Sequence, residues 1–274
     1  MIKILCPVDF SSHSENAVIY SCEYARKVKG KVLIFHSYHS TTTPVYDAEF
    51  MDSPDTELSV TRSLEKFAIR IRETYYDVKI ETFSQLGLAA DKITEFAKLE
   101  KTDIIIMSTE GAKGIDTLIG TVASNVIEMA HCPVLVIPSG YQYKSLENIV
   151  YATDLKEDET KFILDIVKIA ELYNARIYVL NIQEDHIHPR EKLEDKLEKI
   201  IKIANYKKIS LHINERLEIL EGIRVFAGSK NADLIVTSPH KRNFFQKIIN
   251  SSITRKISYD ATIPLLALQM EGNL

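Results

Sequence analysis

Cysteine is scarce here: Cys6, Cys22 and Cys132 are the only thiols in 274 residues. An odd, sparse set excludes a disulfide framework and argues for a reducing compartment. All three lie in apolar stretches, so they read as small buried hydrophobes. No apolar run approaches the ~20 residues that span a bilayer. The sequence runs from Met1-Ile2-Lys3 straight into a strand, with no charged-then-apolar leader. A cytoplasmic protein without membrane contact is therefore expected. The formal net charge of −4 offers no excess of Lys and Arg for a nucleic-acid backbone. No nucleophile elbow, ordered Ser/His/Asp set, diagnostic Cys/His pair or acidic pair for two-metal hydrolysis stands out.

What is present is said twice. Ile4-Leu5-Cys6-Pro7-Val8-Asp9-Phe10 recurs as Ile149-Val150-Tyr151-Ala152-Thr153-Asp154-Leu155. Thr102-Asp103-Ile104-Ile105-Ile106-Met107-Ser108 recurs as Ala232-Asp233-Leu234-Ile235-Val236-Thr237-Ser238. Two αβ units of one design are expected in tandem, 1–140 and 147–274, with the short polar stretch Ser139–Leu146 as linker.

In the first unit, strands are expected at Ile4–Val8, Val32–His36, Val78–Phe83, Asp103–Met107 and Val134–Ile137. Helices fall between them: one capped by Ser11-Ser12 and stopped by Gly30, then Glu57–Tyr75, Ala89–Glu100 and Thr121–Ala130. Ser37–Thr56, broken by Pro44 and Pro54, reads as a long loop. The second unit repeats the pattern, with strands near Ile149–Ala152, Ile177–Asn181, Ile209–Ile213, Leu234–Thr237 and Leu265–Leu268. Its helices are expected near Glu159–Tyr173, Glu191–Ala204, Ile219–Ser229 and Ser251–Tyr259. Alternating strands and helices make an open parallel sheet covered on both faces, an α/β fold of Rossmann-like type. Pro133 and Pro264 lead the last strand of each unit, which suits a sheet edge. Exposed edges invite pairing, so the expectation is a pseudo-two-fold internal dimer joined through Val134–Ile137 and Leu265–Leu268, with a homodimer of the whole chain left open.

Three of the nine glycines, Gly111, Gly114 and Gly120, crowd the loop that leaves the most apolar strand of the first unit. Glycine there allows close backbone approach, and the helix start presents free N–H groups, which together favour an anion. Carboxyl ends of strands in open α/β sheets are where ligands bind. The spacing is neither a P-loop nor a dinucleotide fingerprint, and on spacing alone a tight turn explains the glycines as well.

The chain resembles a tandem universal stress protein. The resemblance rests on Pro7-Val8-Asp9-Phe10-Ser11, the Asp103–Met107 strand, the glycine loop, Gly120-Thr121-Val122 and Cys132-Pro133-Val134-Leu135-Val136-Ile137. It implies an adenine nucleotide alpha hydrolase-like fold and, in the members that bind ATP, a G-x2-G-x9-G-[S/T] loop. Carried over, that pattern falls on Ser108, Gly111, Gly120 and Thr121, with Gly114 inside the loop, Pro7 and Asp9 toward the adenine, and Met107 and Val122 lining the pocket. Two departures stand out: Ser108 replaces the first glycine, and eight residues, not nine, separate Gly111 from Gly120. In the second unit the same stretch reads Ser238-Pro239-His240-Lys241, then eight residues, then Asn250-Ser251, without glycine.

The resemblance implies a stress-response regulator without catalysis. ATP, with Mg²⁺ beside it and Thr121 as a hydroxyl ligand, would sit in the first unit only, and any hydrolysis would be slow. The second unit would be a structural partner. Two alternatives stay open: an interaction module that binds protein partners and no nucleotide, and an enzyme acting on an adenylated or phosphorylated small molecule. His186-Ile187-His188 beside Glu184 and Asp185 has chelating chemistry but no third ligand fixed in sequence, and reads as a solvated loop. Lys241, Arg242 and Lys247 read as a solvated basic face, His36 as a packing histidine, and His131 as a cation at a helix end. Asp9 and Asp154 read either as site carboxylates or as caps for the helices that follow.

Overall fold

The computed structural model describes residues 1–38, 57–109, 121–153, 155, 159–183, 190–215, 219–238 and 263–270. The chain divides into two compact units, Met1–Tyr143 and Lys144–Leu274.

The first unit runs β1 (Lys3–Pro7), α1 (Ser12–Val28), β2 (Lys31–Tyr38), α2 (Glu57–Thr74), β3 (Lys79–Leu86), α3 (Ala89–Glu100), β4 (Ile104–Ser108), α4 (Thr121–Met129) and β5 (Val134–Ile137). Its strands lie in the order β3-β2-β1-β4-β5, all parallel. The chain therefore winds outward from β1 through β2 and β3, then returns to β1's other side for β4 and β5. Alternate residues of β2 show the two faces. Phe35 meets Phe96 of α3 at 4.9 Å between ring centroids, whereas His36 meets Phe10, beyond β1, at 4.6 Å. Phe10 in turn lies against Phe67 of α2, and Arg70 of α2 pairs with Glu15 of α1. α3 packs with α4.

The second unit runs β6 (Asn148–Ala152), α5 (Thr160–Tyr173), β7 (Arg176–Gln183), α6 (Arg190–Ala204), β8 (Ile209–Glu215), α7 (Ile219–Ser229), β9 (Leu234–Thr237) and β10 (Leu265–Ala267). Its order is β8-β7-β6-β9-β10, the same winding, again all parallel. The expected helix at Ser251–Tyr259 lies outside the described residues, as do Lys241, Arg242, Lys247, His186, His188 and the loop beyond Tyr38.

The repeat extends to local backbone. Lys29 and Asn174 close α1 and α5 in left-handed conformation, and Lys101 and Asn231 stand at matching places after α3 and α7. Gly30 is thus not the residue that turns the chain. Lys29 takes the positive φ of 51°, and Gly30 is needed because a Cβ there would sit 2.8 Å from the Ile2 carbonyl oxygen. Asp103 explains the other repeated motif. Its Oδ2 accepts the backbone N–H of Lys3 at 2.7 Å, and the Oδ2 of Asp233 accepts those of Glu147 and Asn148 at 2.8 and 3.0 Å. Each aspartate fastens the amino end of its unit's first strand. Pro133 and Pro264 use their carbonyls, which accept from Ile105 and Ile235, and need no N–H.

The stretch read as a linker is tied down. Ser139 Oγ lies 2.7 Å from His13 Nδ1, Asn16 donates to the Tyr141 carbonyl, and Tyr20 of α1 packs edge-on against Tyr143. His131 falls two residues beyond the end of α4. The three thiols are free and buried, and burial pushes each up to about 12.

Candidate functional site

β1 lies between β2 and β4, and the chain leaves in opposite directions on its two sides, which makes the carboxyl ends of β1 and β4 the switch point of the first sheet, the place where open α/β sheets take ligands. Ile4 pairs with Ile104 and Leu5 with Ile105. Pro7 ends β1, Asp9 lies two residues beyond it, and Met107 and Ser108 end β4, so these four of the predicted residues stand at or just past the carboxyl ends of neighbouring strands. Pro7 is the last residue of β1 and is buried; Met107 is buried, and Ser108 ends β4 half-buried opposite Ile137. Thr109 carries the pairing one step further by donating to the Ile137 carbonyl. Thr121 opens α4 and is exposed, and Val122 beside it is largely exposed. Gly111, Gly114 and Gly120 lie outside the described residues.

Asp9 builds the turn between β1 and α1. Its Oδ1 accepts from the Ser11 backbone N–H at 3.1 Å and from the Ser11 hydroxyl at 2.6 Å. Ser11 caps α1 by accepting from the Ser14 N–H, and Ser14 Oγ accepts from the Asp9 N–H at 3.3 Å. The cap is thus Ser11, as its type favours, and Asp9 orients the cap rather than serving as one.

Phe10 is the residue that sequence reasoning missed. It has φ of 64° and is 40% exposed. A bulky residue in the left-handed region is strained, and strain of this kind collects at functional turns. Contacts to His36 and Phe67 hold it. His36 Nδ1 lies 2.7 Å from the Val8 carbonyl oxygen. A carbonyl only accepts, so Nδ1 carries a proton. The packing role expected of His36 is thereby given a partner, which nothing in the local sequence marked.

The described residues of the second unit at matching positions differ in kind. Leu155 matches Phe10, with φ of 53°, and Asn181 matches His36, its amide donating to the Thr153 carbonyl at 3.1 Å. Asp154 lies outside the described residues. Tyr151, in the place of Cys6, is fully buried and donates to Glu159, in the place of Ser14. Burial, and then the Glu159 charge, push the Tyr151 phenol well above its ordinary range. Thr153 donates to the other oxygen of Glu159 at 2.8 Å and accepts the Leu155 N–H. Lys196 of α6 reaches the Leu155 carbonyl at 2.6 Å. No group of three or more metal-ligating side chains occurs among the described residues.

A model of the universal stress protein family matches the chain twice, at residues 1–138 and 145–269. One similar protein is a universal stress protein of Methanocaldococcus jannaschii, 32% identical over 137 residues, which is 49% of this chain and 81% of that protein. Another is a universal stress protein of Thermus aquaticus, 28% identical over 139 residues, covering 49% of this chain and 96% of the relative. Among solved structures, a universal stress protein of Archaeoglobus fulgidus superposes with a TM-score of 0.72 at 16% identity, covering 97% of this chain and 96% of that one, a likeness of fold.

Proposed function

The chain belongs to the universal stress protein family, and from that premise we propose that it is a cytoplasmic, non-catalytic stress-response regulator whose first unit holds one adenine nucleotide. The observation that carries this reading is the convergence of the Pro7–Ser14 turn and the Met107–Thr109 strand end at the switch point of the first sheet. Asp9 would face the base side. Ser108, Gly111, Gly114, Gly120, Thr121 and Val122 would supply the phosphate side, where backbone N–H groups at the start of α4 favour an anion.

ATP is the nucleotide proposed, with Mg²⁺ beside its phosphates and Thr121 as hydroxyl ligand. When bound, Mg²⁺ would offset phosphate charge. The chain's own residues would orient the nucleotide, and hydrolysis is expected to be slow. The second unit serves as structural partner, and protein partners would read the nucleotide state of the first. No helix among the described residues is long and apolar enough to cross a membrane.

Mass spectrometry of gently purified protein, followed by calorimetric titration with Mg·ATP, tests this. One nucleotide per chain is expected, with a stabilisation of about 2.7 kcal/mol at 100 times the dissociation constant. Two per chain would refute restriction to the first unit. No binding at millimolar nucleotide would refute the ligand.

A further inference from the structure

β1 pairs with β2 as far as Pro7, which lies opposite Phe35. One residue on, β2 still holds Val8 by both of its backbone polar groups. The Val8 N–H donates to the Phe35 carbonyl at 2.8 Å, as a parallel ladder would continue. The Val8 carbonyl accepts from His36 Nδ1 at 2.7 Å, so a side chain completes what the backbone began. Asp9 follows, and then Phe10 with its φ of 64°. The same His36 ring lies against the Phe10 ring, with centroids 4.6 Å apart and planes tilted by 43°. His36 therefore touches the residue on either side of Asp9. From the helix side, Ser14 Oγ accepts the Asp9 N–H at 3.3 Å, and Ser11 donates twice to Asp9 Oδ1.

The second unit separates what this position needs from what it merely contains. Thr153, in the place of Val8, donates its N–H to the Leu180 carbonyl at 3.0 Å. The Thr153 carbonyl accepts from the side-chain amide of Asn181, in the place of His36, at 3.1 Å. Leu155, in the place of Phe10, is again left-handed, with φ of 53°. The imidazole has become a carboxamide and the phenyl ring an isobutyl group, yet a side-chain donor still meets the same carbonyl. The hydrogen bond, rather than the aromatic ring, is thus what both copies retain. A backbone carbonyl at the end of a buried strand needs such a donor, and an apolar residue on β2 would leave it without one.

We propose that His36 is a positioning residue for the nucleotide of the first unit: by donating to the Val8 carbonyl and backing Phe10, it fixes the backbone on both sides of Asp9 and so sets that carboxylate toward the base. His36 acts through Asp9 and does not itself meet the ligand. A turn fixed before the ligand arrives has less freedom to lose on binding, and that difference appears as affinity. The effect falls on the base side alone, because Ser108 and the start of α4 are held by other contacts. The proposal rests on the reading that the first unit takes an adenine nucleotide, and its test separates the two.

The test is calorimetric titration of the full chain with Mg·ATP and with Mg·GTP, in the native protein and in the His36→Leu and His36→Asn variants. Leucine removes the donor, and asparagine restores it with the group that the second unit uses. The leucine variant is expected to bind ATP about tenfold more weakly, near the upper end of what one hydrogen bond contributes. Its GTP affinity should not change, so its preference for ATP narrows by the same factor; a loss of stability alone would not alter that preference. Asparagine should return both the affinity and the preference toward the native values. Unchanged ATP affinity in the leucine variant would overturn the proposal, as would an asparagine variant as weak as leucine, or a native chain that takes GTP as readily as ATP. If leucine prevents folding, His36→Ala removes the same donor without filling the space. A chain that folds with neither would also overturn the proposal, since the contact would then serve the fold and not the ligand. Absence of ATP binding in the native protein would instead refute the nucleotide reading itself, and this proposal with it.

Discussion

Replacing Asp233 by alanine is expected to cost the second unit about 2–6 kcal/mol, the sum for two backbone amides that lose their acceptor. The magnitude follows from what is orphaned. Oδ2 accepts the backbone N–H groups of Glu147 and Asn148 at 2.8 and 3.0 Å, while Oδ1 meets Lys144 Nζ at 2.6 Å. The Lys144 side chain is 55% exposed, so its pairing falls in the ~0–1 kcal/mol range of surface pairs. The two amides carry the rest, at roughly 1–3 kcal/mol for each group left without an acceptor. Asp103 holds one such amide, that of Lys3, so Asp103→Ala should cost the first unit about half as much. Asp233→Asn retains a carbonyl oxygen and should lose only about 1 kcal/mol, the net worth of one ordinary hydrogen bond. Urea unfolding followed by circular dichroism gives the totals, and native-state hydrogen exchange at β1 and β6 assigns each loss to its unit. Equal losses for the two alanine variants, or an asparagine variant as weak as alanine, would refute the account based on orphaned amides.

Neighbouring residues after α1 should respond with opposite signs. Gly30→Ala should destabilise by about 1–3 kcal/mol through overpacking against Ile2, and Lys29→Gly should stabilise by about 1 kcal/mol by relieving the left-handed residue; matching signs in urea melts would contradict the cap geometry. Cys6, Cys22 and Cys132, pushed up to about 12 by burial, should react with a disulfide reagent at mildly alkaline pH only as fast as the protein opens, and prompt labelling of any one would contradict their burial. Glu81 is held below the usual carboxylate range by Lys79 and then Lys31, and Glu65 by Arg72. Their folded values lie under the unfolded one, so the stabilisation is complete above about pH 4.3 and is lost as pH falls through the folded values. Urea midpoints should drop across that acid limb, and Lys31→Met should flatten the drop; an unaltered slope would rule out the Lys31–Glu81 contribution. Thr102 and Thr237 each bury a hydroxyl without a hydrogen-bond partner among the described residues, so a valine at either should hold stability or raise it by up to about 1 kcal/mol, and a larger loss in thermal melts would reveal a partner.

The fold was legible because period and punctuation agreed along the chain. The bounds expected for α3, α7, β5 and β9 are those observed. β2, β3, β7 and β8 run longer than their apolar cores suggested, because parallel pairing carries on past the last buried residue, as Ser37 with Gln85 and Gln183 with Glu215 show. The misread cap at Gly30 has a simple cause: sequence shows that glycine is required, but not whether torsion or crowding requires it. Asp9 stood out through the repeat, Ser11 through its capping type, and Met107 through the family resemblance. Glu159 did not stand out. It was expected only as the first residue of a helix, and its partner Tyr151 lies on a strand that shows only apolar pattern. The strain at Phe10 was equally silent, since sequence signals left-handed residues mainly through glycine and asparagine.

The Asp103 and Asp233 clamps stand at the opposite end of the strands from Asp9 and Ser108. The contacts that fasten each first strand are thereby kept apart from the turns at its other end. Residues at the carboxyl ends of β1 and β4 can be exchanged without touching the aspartate that anchors the sheet, so the two ends of one motif can be altered one at a time.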